Sequence, residues 1–260
     1  MPLRWGYFSL LILLALSSLA YAQTPIPTGK VTAAAVQLAL TGGAIVSDIT
    51  LSATATWIAG STNQTGSAQL ISKGTGEALF QLANSSFSVS ELRNDSDGPG
   101  GQSSDSTGAM HILPPHNCWM PAAWFSPAAV IQVISGSAFT LTDVGQELHE
   151  GAVVDHVQAQ ITSSGQRPRV AAVIQKLSTT DVFFDPESHL PVAIAFNTHP
   201  ADDLTRDIPV EVRFSDYRTV NGIKVPFHIQ RFLSGTLQLD VTVSSAAINS
   251  GVADSAFALQ

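Results

Sequence analysis

The sequence predicts a mainly β protein of the α+β class, in which a curved antiparallel sheet forms an incomplete barrel and one or two helices cover its concave apolar face. Apolar and polar residues alternate with a period of two along much of the chain, as in strands with one buried and one wet face. Two short apolar segments carry helix signals instead. Asn221-Gly222, between two alternating segments, marks a tight hairpin.

The elements can be placed in chain order. The alternating segments are Ile49–Trp57, Phe87–Val89, Val157–Ile161, Val192–Phe196, Val210–Phe214 and Leu237–Val243. Helices are expected at Val31–Leu40, which ends at Gly42-Gly43, and at Pro127–Ile134, where Ser126 is a candidate N-cap. A last short turn is expected in Val252–Phe257. Asn94–Gly108 holds no large apolar residue, so it is predicted to be an exposed flexible loop.

The first residues predict export. Arg4 supplies a positive start, Phe8–Leu19 is apolar, and Ala20-Tyr21-Ala22 has the small residues that a signal peptidase requires. Cleavage after Ala22 would leave residues 23–260 as one domain beginning at Gln23. An uncleaved anchor is the alternative, although the apolar run is short for a membrane span, and no other segment is apolar enough to span a bilayer.

Charge and cysteine content restrict the function classes. The formal net charge is −8, with 12 Lys+Arg against 20 Asp+Glu, so a nucleic-acid partner is not expected. Cys118 is the single cysteine, and the fold must rest on its core rather than on an internal disulfide. Its neighbours Asn117, Trp119 and Met120 favour a buried thiol over a reactive one.

The C-terminal half resembles a known family. The segments that carry the resemblance are Phe184–Phe196, Val212–Ile229 and Leu239–Leu259, which include DPESHLP and DYRTVNGIKVP. They are similar to uncharacterised envelope members of the bacterial outer-membrane lipoprotein-sorting superfamily, the LolA/LolB-like proteins. The resemblance implies a periplasmic or secreted bacterial protein with a half-barrel pocket for a lipid, an acyl chain or a lipoprotein and with an envelope protein as a candidate partner, and it does not imply catalysis. The acidic charge departs from the basic or near-neutral carriers of the family, and the polar Asn94–Gly108 segment departs from a receptor that delivers its cargo to a membrane.

The hairpin at Asn221-Gly222 raises a question of charge. Its pairing places Asp216, Arg218 and Arg231 on a face that is otherwise apolar. Three interpretations are open: Asp216 and Arg218 form a structural ion pair near the mouth of the barrel, a β-bulge turns both outward, or Arg218 or Arg231 binds a ligand carboxylate or phosphate.

Aromatic residues supply the other ligand-binding candidates. Trp119, Trp124 and Phe125 lie beside the Pro127 helix, and Phe214 and Phe227 lie on the apolar face of the hairpin. They are expected either to pack in the core or to line an apolar pocket.

No catalytic, metal or cofactor site is predicted. The sequence has no phosphate-binding loop, dinucleotide fingerprint or nucleophile elbow. His149-Glu150 and Asp155-His156 flank a turn without zinc-site spacing, and His111 and His116 flank Pro114-Pro115. Three functions remain: a non-catalytic carrier of an apolar or lipidated ligand, a partner-binding module with a filled core, and a hydrolase that uses His149, Asp155 or His156.

Overall fold

The computed structural model describes residues 32–94 and 99–259, which contain three α-helices and thirteen strands. The helices are α1 (Ala33–Thr41), α2 (Pro127–Ile134) and α3 (Pro168–Ser178). The first six strands are β1 (Asp48–Ala59), β2 (Thr62–Lys73), β3 (Ala78–Ala83), β4 (Ser88–Asn94), β5 (Gly100–Ser104) and β6 (Met110–Ile112). The others are β7 (Phe139–His149), β8 (Ala152–Ile161), β9 (Thr180–Phe184), β10 (Pro191–Thr198), β11 (Ile208–Val220), β12 (Ile223–Leu233) and β13 (Thr236–Ile248).

All thirteen strands belong to one open sheet. Its order is β6-β5-β4-β3-β2-β1-β13-β12-β11-β10-β9-β8-β7, and every neighbouring pair is antiparallel. The first and last strands therefore pair in the middle, and β6 and β7 form the two edges. The predicted incomplete antiparallel barrel with helices is confirmed.

The period-two alternation determines which side chains enter the main core. Leu51 and Ala55 of β1 and Leu239 and Val241 of β13 all have 1% or less of their surface exposed, whereas the alternate residues Ser52, Thr54 and Asp240 face outward. Each large apolar side chain buried in this way contributes about 1.5–3 kcal/mol. We call the side of the sheet that carries this core the inner face.

Two helices cover part of the inner face, as predicted. α1 begins at Thr32, whose hydroxyl accepts a hydrogen bond from the Ala35 amide, and ends at Gly42 in the left-handed conformation. α2 has the predicted bounds Pro127–Ile134, and six of its eight residues are buried. The preceding Trp124 and Phe125 are fully buried beside it, so the core is filled at this place.

The third helix was not predicted from the sequence. α3 lies between β8 and β9, and Leu177 and Ser178 are its buried residues. It buries too little apolar surface to show the pattern of a core helix, and Val170 and Val173 on its surface are 44% and 48% exposed.

The prediction of an exposed loop at Asn94–Gly108 is wrong for its central part, because β5 (Gly100–Ser104) pairs with β4 and β6. Gln102 is 8% exposed despite its polarity. Gly101 admits the Arg93 side chain, since a Cβ at this position would lie 2.6 Å from Arg93 Cδ. The small residues of β5 let its backbone pair within the sheet without apolar side chains, so the hydropathy of this segment did not indicate a strand.

The Asn221-Gly222 hairpin has the predicted register. Val220 pairs with Ile223, and Val212 pairs with Arg231. Asn221 and Gly222 both have positive φ angles, 49° and 85°, as a two-residue turn requires.

No helix within the described ranges 32–94 and 99–259 is long and apolar enough to cross a membrane. The predicted signal peptide and its cleavage site lie outside these ranges.

Candidate functional site

An open cavity of about 760 Å³ lies on the inner face of the first half of the sheet, where α2 does not cover it. Trp57 of β1, Phe80 of β3, and Phe87 and Val89 at the start of β4 supply its apolar walls. Thr62, Ser86, Asp105 and Ser106 lie at its mouth, close to the hairpin turns. Its volume is within the range of about 300–1,000 Å³ that is usual for small-ligand sites.

A charged pair forms the floor of this cavity. Arg231 Nη1 of β12 lies 3.3 Å from Glu91 Oε2 of β4, and 140 residues separate the two along the chain. The strands β4 and β12 are five steps apart in the sheet order, so they would lie about 24 Å apart in a flat sheet. Their side chains meet because the sheet curls, and the ion pair joins its two walls.

The Arg231 guanidinium also rests on an aromatic ring. Its Cζ lies 4.9 Å from the ring centroid of Trp124, which in turn contacts Phe80 and Phe125 at centroid distances of 5.8 and 5.2 Å. Only 14% of the Arg231 side chain and 22% of the Glu91 side chain are exposed. Ion pairing and stacking together hold the cation in place at the base of the cavity.

The mouth of the cavity, which carries hydroxyl and carboxylate groups, also holds a charged pair. Asp105 Oδ2 and His111 Nε2 are 2.9 Å apart, and both residues line the cavity. Hydrogen bonds from the hydroxyl of Thr107, from His111 and from the Thr107 amide hold the pKa of Asp105 well below its usual range. The mouth of the cavity therefore carries an ion pair in which the ionised form of Asp105 is favoured.

Of the eight ligand-binding candidates from the sequence, Arg231 is the one placed in this cavity. Trp124 and Phe125 belong to the main core, with 2% and 0% of their surface exposed, and Phe214 and Phe227 are also buried there. For these four aromatics the core-packing alternative fits, since α2 and the strand pairing leave them no open surface.

Asp216 and Arg218 pair with each other near the turn of the hairpin. Arg218 Nη2 donates to Asp216 Oδ2 at 2.6 Å, and Nε donates to Oδ1 at 3.2 Å. The hydrogen bond from Arg218 holds the pKa of Asp216 below its usual range. Both side chains are at least half exposed, so the inward burial expected from the register is wrong for them.

The cause is a local distortion rather than a register shift. Asp216 has a φ of 52° and makes no ladder pair, yet the residues on both sides of it keep the same register. Arg218 covers the edge of the core by stacking over Phe227 at 4.3 Å. A structural ion pair at the mouth of the barrel, the first alternative, describes this arrangement.

Trp119 lies apart from the cavity, at the end of a short 3-10 helix (Pro115–Trp119). It lines an apolar groove with Val170, Val173 and Leu177 of α3, and a second, smaller apolar pocket of about 210 Å³ with Cys118 and Val130. Cys118 is 1% exposed, as predicted.

The histidine candidates form carboxylate pairs on the outer face. His156 Nε2 lies 2.9 Å from Asp181 Oδ1, His149 Nε2 lies 3.4 Å from Glu211 Oε1, and both imidazoles stack against Phe183. Asp155 is buried. Within the described part of the chain, no three His, Cys, Asp or Glu side chains are placed to hold a metal ion.

Sequence reasoning missed most of the cavity lining. Trp57 and Val89 were recognisable as inward positions of alternating strands, but Glu91 and Gln238 were not, because local sequence does not show how far a sheet curls. Gln238 enters the cavity at an irregularity in the pairing of β12 with β13, where Arg231 faces Leu239 and Phe232 faces Leu237.

Solved structures with the same fold are known, although no protein-family model and no curated protein matches the sequence. A LolA superfamily protein from Nitrosomonas europaea is 11% identical with a TM-score of 0.52, covering 88% of this chain and 99% of its own. An outer membrane lipoprotein-sorting protein domain from Vibrio parahaemolyticus is 10% identical with a TM-score of 0.51, covering 81% and 88%. A DUF1329 family protein from Desulfovibrio piger is 12% identical with a TM-score of 0.52, covering 87% and 94%. The chain therefore has the LolA-like fold.

Proposed function

We propose that this chain is an exported envelope protein that holds an apolar or lipidated ligand on the inner face of its half-barrel, without catalysing a reaction. The observation that carries the proposal is the open cavity of about 760 Å³ with walls of Trp57, Phe80, Phe87 and Val89. Aromatic and aliphatic walls with a few polar groups are the usual lining of a small-ligand site.

The fold and the predicted signal peptide support the same proposal. Two of the solved structures with this fold are described as a LolA superfamily protein and a lipoprotein-sorting domain. An exported protein with such a cavity would meet lipids, acyl chains and lipoproteins in the bacterial envelope.

A partner-binding module with a filled core is the second candidate. It is favoured by the part of the inner face under α2, where Trp124, Phe125 and Ile131 are buried and fill the space. The two functions differ in one observable property, namely whether the protein carries a bound molecule.

The experiment is native mass spectrometry and solvent extraction of protein purified from its own host. The carrier function predicts bound lipid-like mass in the wild type and a reduced amount in Ser103→Trp, because Ser103 lines the cavity and an indole there would obstruct part of it. Gln81→Trp is the matched control, since Gln81 is exposed on strand β3 and lies outside the cavity lining. Protein that carries nothing would favour the filled-core module, and equal cargo in both variants would show that the ligand does not occupy this cavity.

A further inference from the structure

The cavity combines apolar walls with a charged floor, which is unfavourable for a ligand that is hydrocarbon throughout. A hydrocarbon tail pressed against Arg231 and Glu91 would remove both charges from water without offering a hydrogen bond, and such burial is costly. From this arrangement we infer that the ligand is an anionic amphiphile whose acidic head binds Arg231 at the floor, while its chain runs along the aromatic walls to the mouth. The inference rests on the proposed carrier function and specifies its ligand.

Arg231 has capacity to bind an anion. Its contact with Glu91 is a single one at 3.3 Å, longer than the roughly 2.7–2.9 Å of a strong charge-assisted hydrogen bond and not the two-point pairing that a guanidinium favours. Its buried Nε has no hydrogen-bond partner among the described residues. A ligand carboxylate or phosphate can therefore bind this guanidinium by competing with Glu91.

A second polar group lies beside the same cavity. The amide of Gln238 lines it, and the buried Oε1 likewise lacks a hydrogen-bond partner within the described part of the chain. Buried polar atoms in folded proteins are nearly always hydrogen-bonded. Gln238 Oε1 accepts a hydrogen bond only from a donor, so a head group that carries a hydroxyl or amide beside its acidic group would satisfy Gln238 and Arg231 together, which a bare hydrocarbon cannot do.

The mouth of the cavity disfavours the opposite orientation. The Asp105 carboxylate already pairs with His111 at 2.9 Å there, so an acidic head left at the mouth would have to displace it from an exposed imidazole. At the floor the head would instead meet a guanidinium that is held by Trp124 and contacts Glu91 at the longer distance of 3.3 Å. The looser and more buried pair at the floor thus favours binding of the head there.

The test compares three probes with equal chains: dodecanoate, dodecyl phosphate and the neutral dodecanol, each titrated calorimetrically below its micellar concentration. The wild type should bind at least one of the two anions about tenfold or more tightly than dodecanol, as expected for one added charge-assisted contact. The two anions separate a carboxylate ligand from a phosphate ligand.

Variants show which residues cause the preference for an anion over dodecanol. Arg231→Met should remove this preference while dodecanol binding persists, and Arg231→Lys should keep part of it. Glu91→Gln should strengthen anion binding because the competing carboxylate is gone. The matched controls lie on the outer face: Arg213 also pairs with a carboxylate, Glu211, and stacks over Phe232, so Arg213→Met and Glu211→Gln should leave the preference unchanged. Thermal melts establish that each variant is folded.

Equal affinity for the anions and dodecanol in the wild type would overturn the head-first inference but leave the carrier function standing. A preference that survives in folded Arg231→Met would overturn it as well. Failure of all three probes to bind would instead count against the carrier function itself.

Discussion

At the scale of single residues, Arg93 is a buried cation whose role is structural. It is 4% exposed, and its guanidinium donates hydrogen bonds to the carbonyl oxygens of Asn117, Cys118 and Met120. These carbonyls lie at the end of the 3-10 helix Pro115–Trp119, where backbone acceptors lack partners within the helix and a cation is favourable. Arg93 therefore fastens the segment that leads to Trp124 onto β4.

Arg93→Met should lower the free energy of unfolding by about 3 kcal/mol or more, because it removes the hydrogen bonds that the guanidinium donates to three buried or part-buried carbonyl oxygens. Urea denaturation followed by circular dichroism measures this. Arg206→Met, at an exposed position, is the control and should unfold like the wild type. Equal midpoints for the two variants would show that the Arg93 contacts are not needed for stability.

Substitutions of Asp216 test whether backbone conformation or charge matters near the turn of the hairpin. Its φ of 52° is tolerated by Asn as well as Asp, but it strains Ala. Asp216→Asn should melt close to the wild type, since the ion pair with Arg218 is exposed, whereas Asp216→Ala should melt about 2–4 °C lower. An Asn variant that melts as low as the Ala variant would show that the charge dominates.

At the scale of elements, α2 is held to the sheet by its one polar side chain. Gln132 accepts a hydrogen bond from the Val46 amide at 3.0 Å and donates to the carbonyl oxygens of Val46 at 3.1 Å and Gly74 at 3.0 Å. Gly74 admits this contact, because a Cβ there would lie 2.2 Å from Gln132 Nε2. The side chain thus joins α2 to the chain before β1 and to the β2–β3 turn.

Gln132→Met should lower the free energy of unfolding by about 2–4 kcal/mol, since the volume is kept while part-buried backbone groups lose their partners. The same change at Gln175, an exposed position of α3, should have little effect. Both are measured by urea denaturation. If the two variants unfold together, the hydrogen bonds of Gln132 do not hold α2 in place.

Elements were predictable from the sequence where one local pattern determines them. Pro127–Ile134 has a proline at its first position and apolar residues on nearly all sides, and its bounds were predicted correctly. β5 was not predicted, because Gly101 and Gln102 enter the sheet through backbone pairing with β4 and β6. The site was predicted least well: Arg231 could be placed inward by counting from Asn221-Gly222, but its partner Glu91 is 140 residues away and meets it only through the curl of the sheet.

At the scale of the whole molecule, the end of the chain covers the outer face of the first strands. Phe257 is fully buried against Ile71 and Leu92, and Asn94 donates a hydrogen bond to its carbonyl oxygen at 2.8 Å. Phe257→Ala should cost about 3–5 kcal/mol, whereas Leu259→Ala, at a position 44% exposed, should cost little. Equal urea midpoints for the two variants would mean that the tail does not contribute to the stability of the sheet.

Asp48 connects the first strand with the residues that follow the last one. Its carboxylate accepts hydrogen bonds from the Ser250 amide and hydroxyl, the Gly251 amide and the Ser47 hydroxyl, at 2.7–3.0 Å. Burial acts to raise the pKa of Asp48, but these hydrogen bonds, led by those from Ser250, outweigh it and hold the pKa below its usual range. The folded protein therefore favours the ionised carboxylate more than the unfolded chain does.

The stability of the folded protein should therefore fall at low pH. The part that Asp48 contributes is fully present above the unfolded-state pKa of about 3.9, and it is lost as the pH falls through the lower folded-state value. Asp48→Asn should be less stable than the wild type at pH 7, and the difference should shrink as the pH falls below about 4 and the wild type becomes protonated at Asp48. Urea denaturation at a series of pH values measures this, with Asp202→Asn at an exposed loop position as the control.

Because β1 and β13 pair in the middle of the sheet, loosening this junction should weaken both halves together, giving one cooperative transition at a lower urea concentration. A wild-type advantage that stays constant down to pH 2 would show that Asp48 stabilises the junction by shape and not by charge.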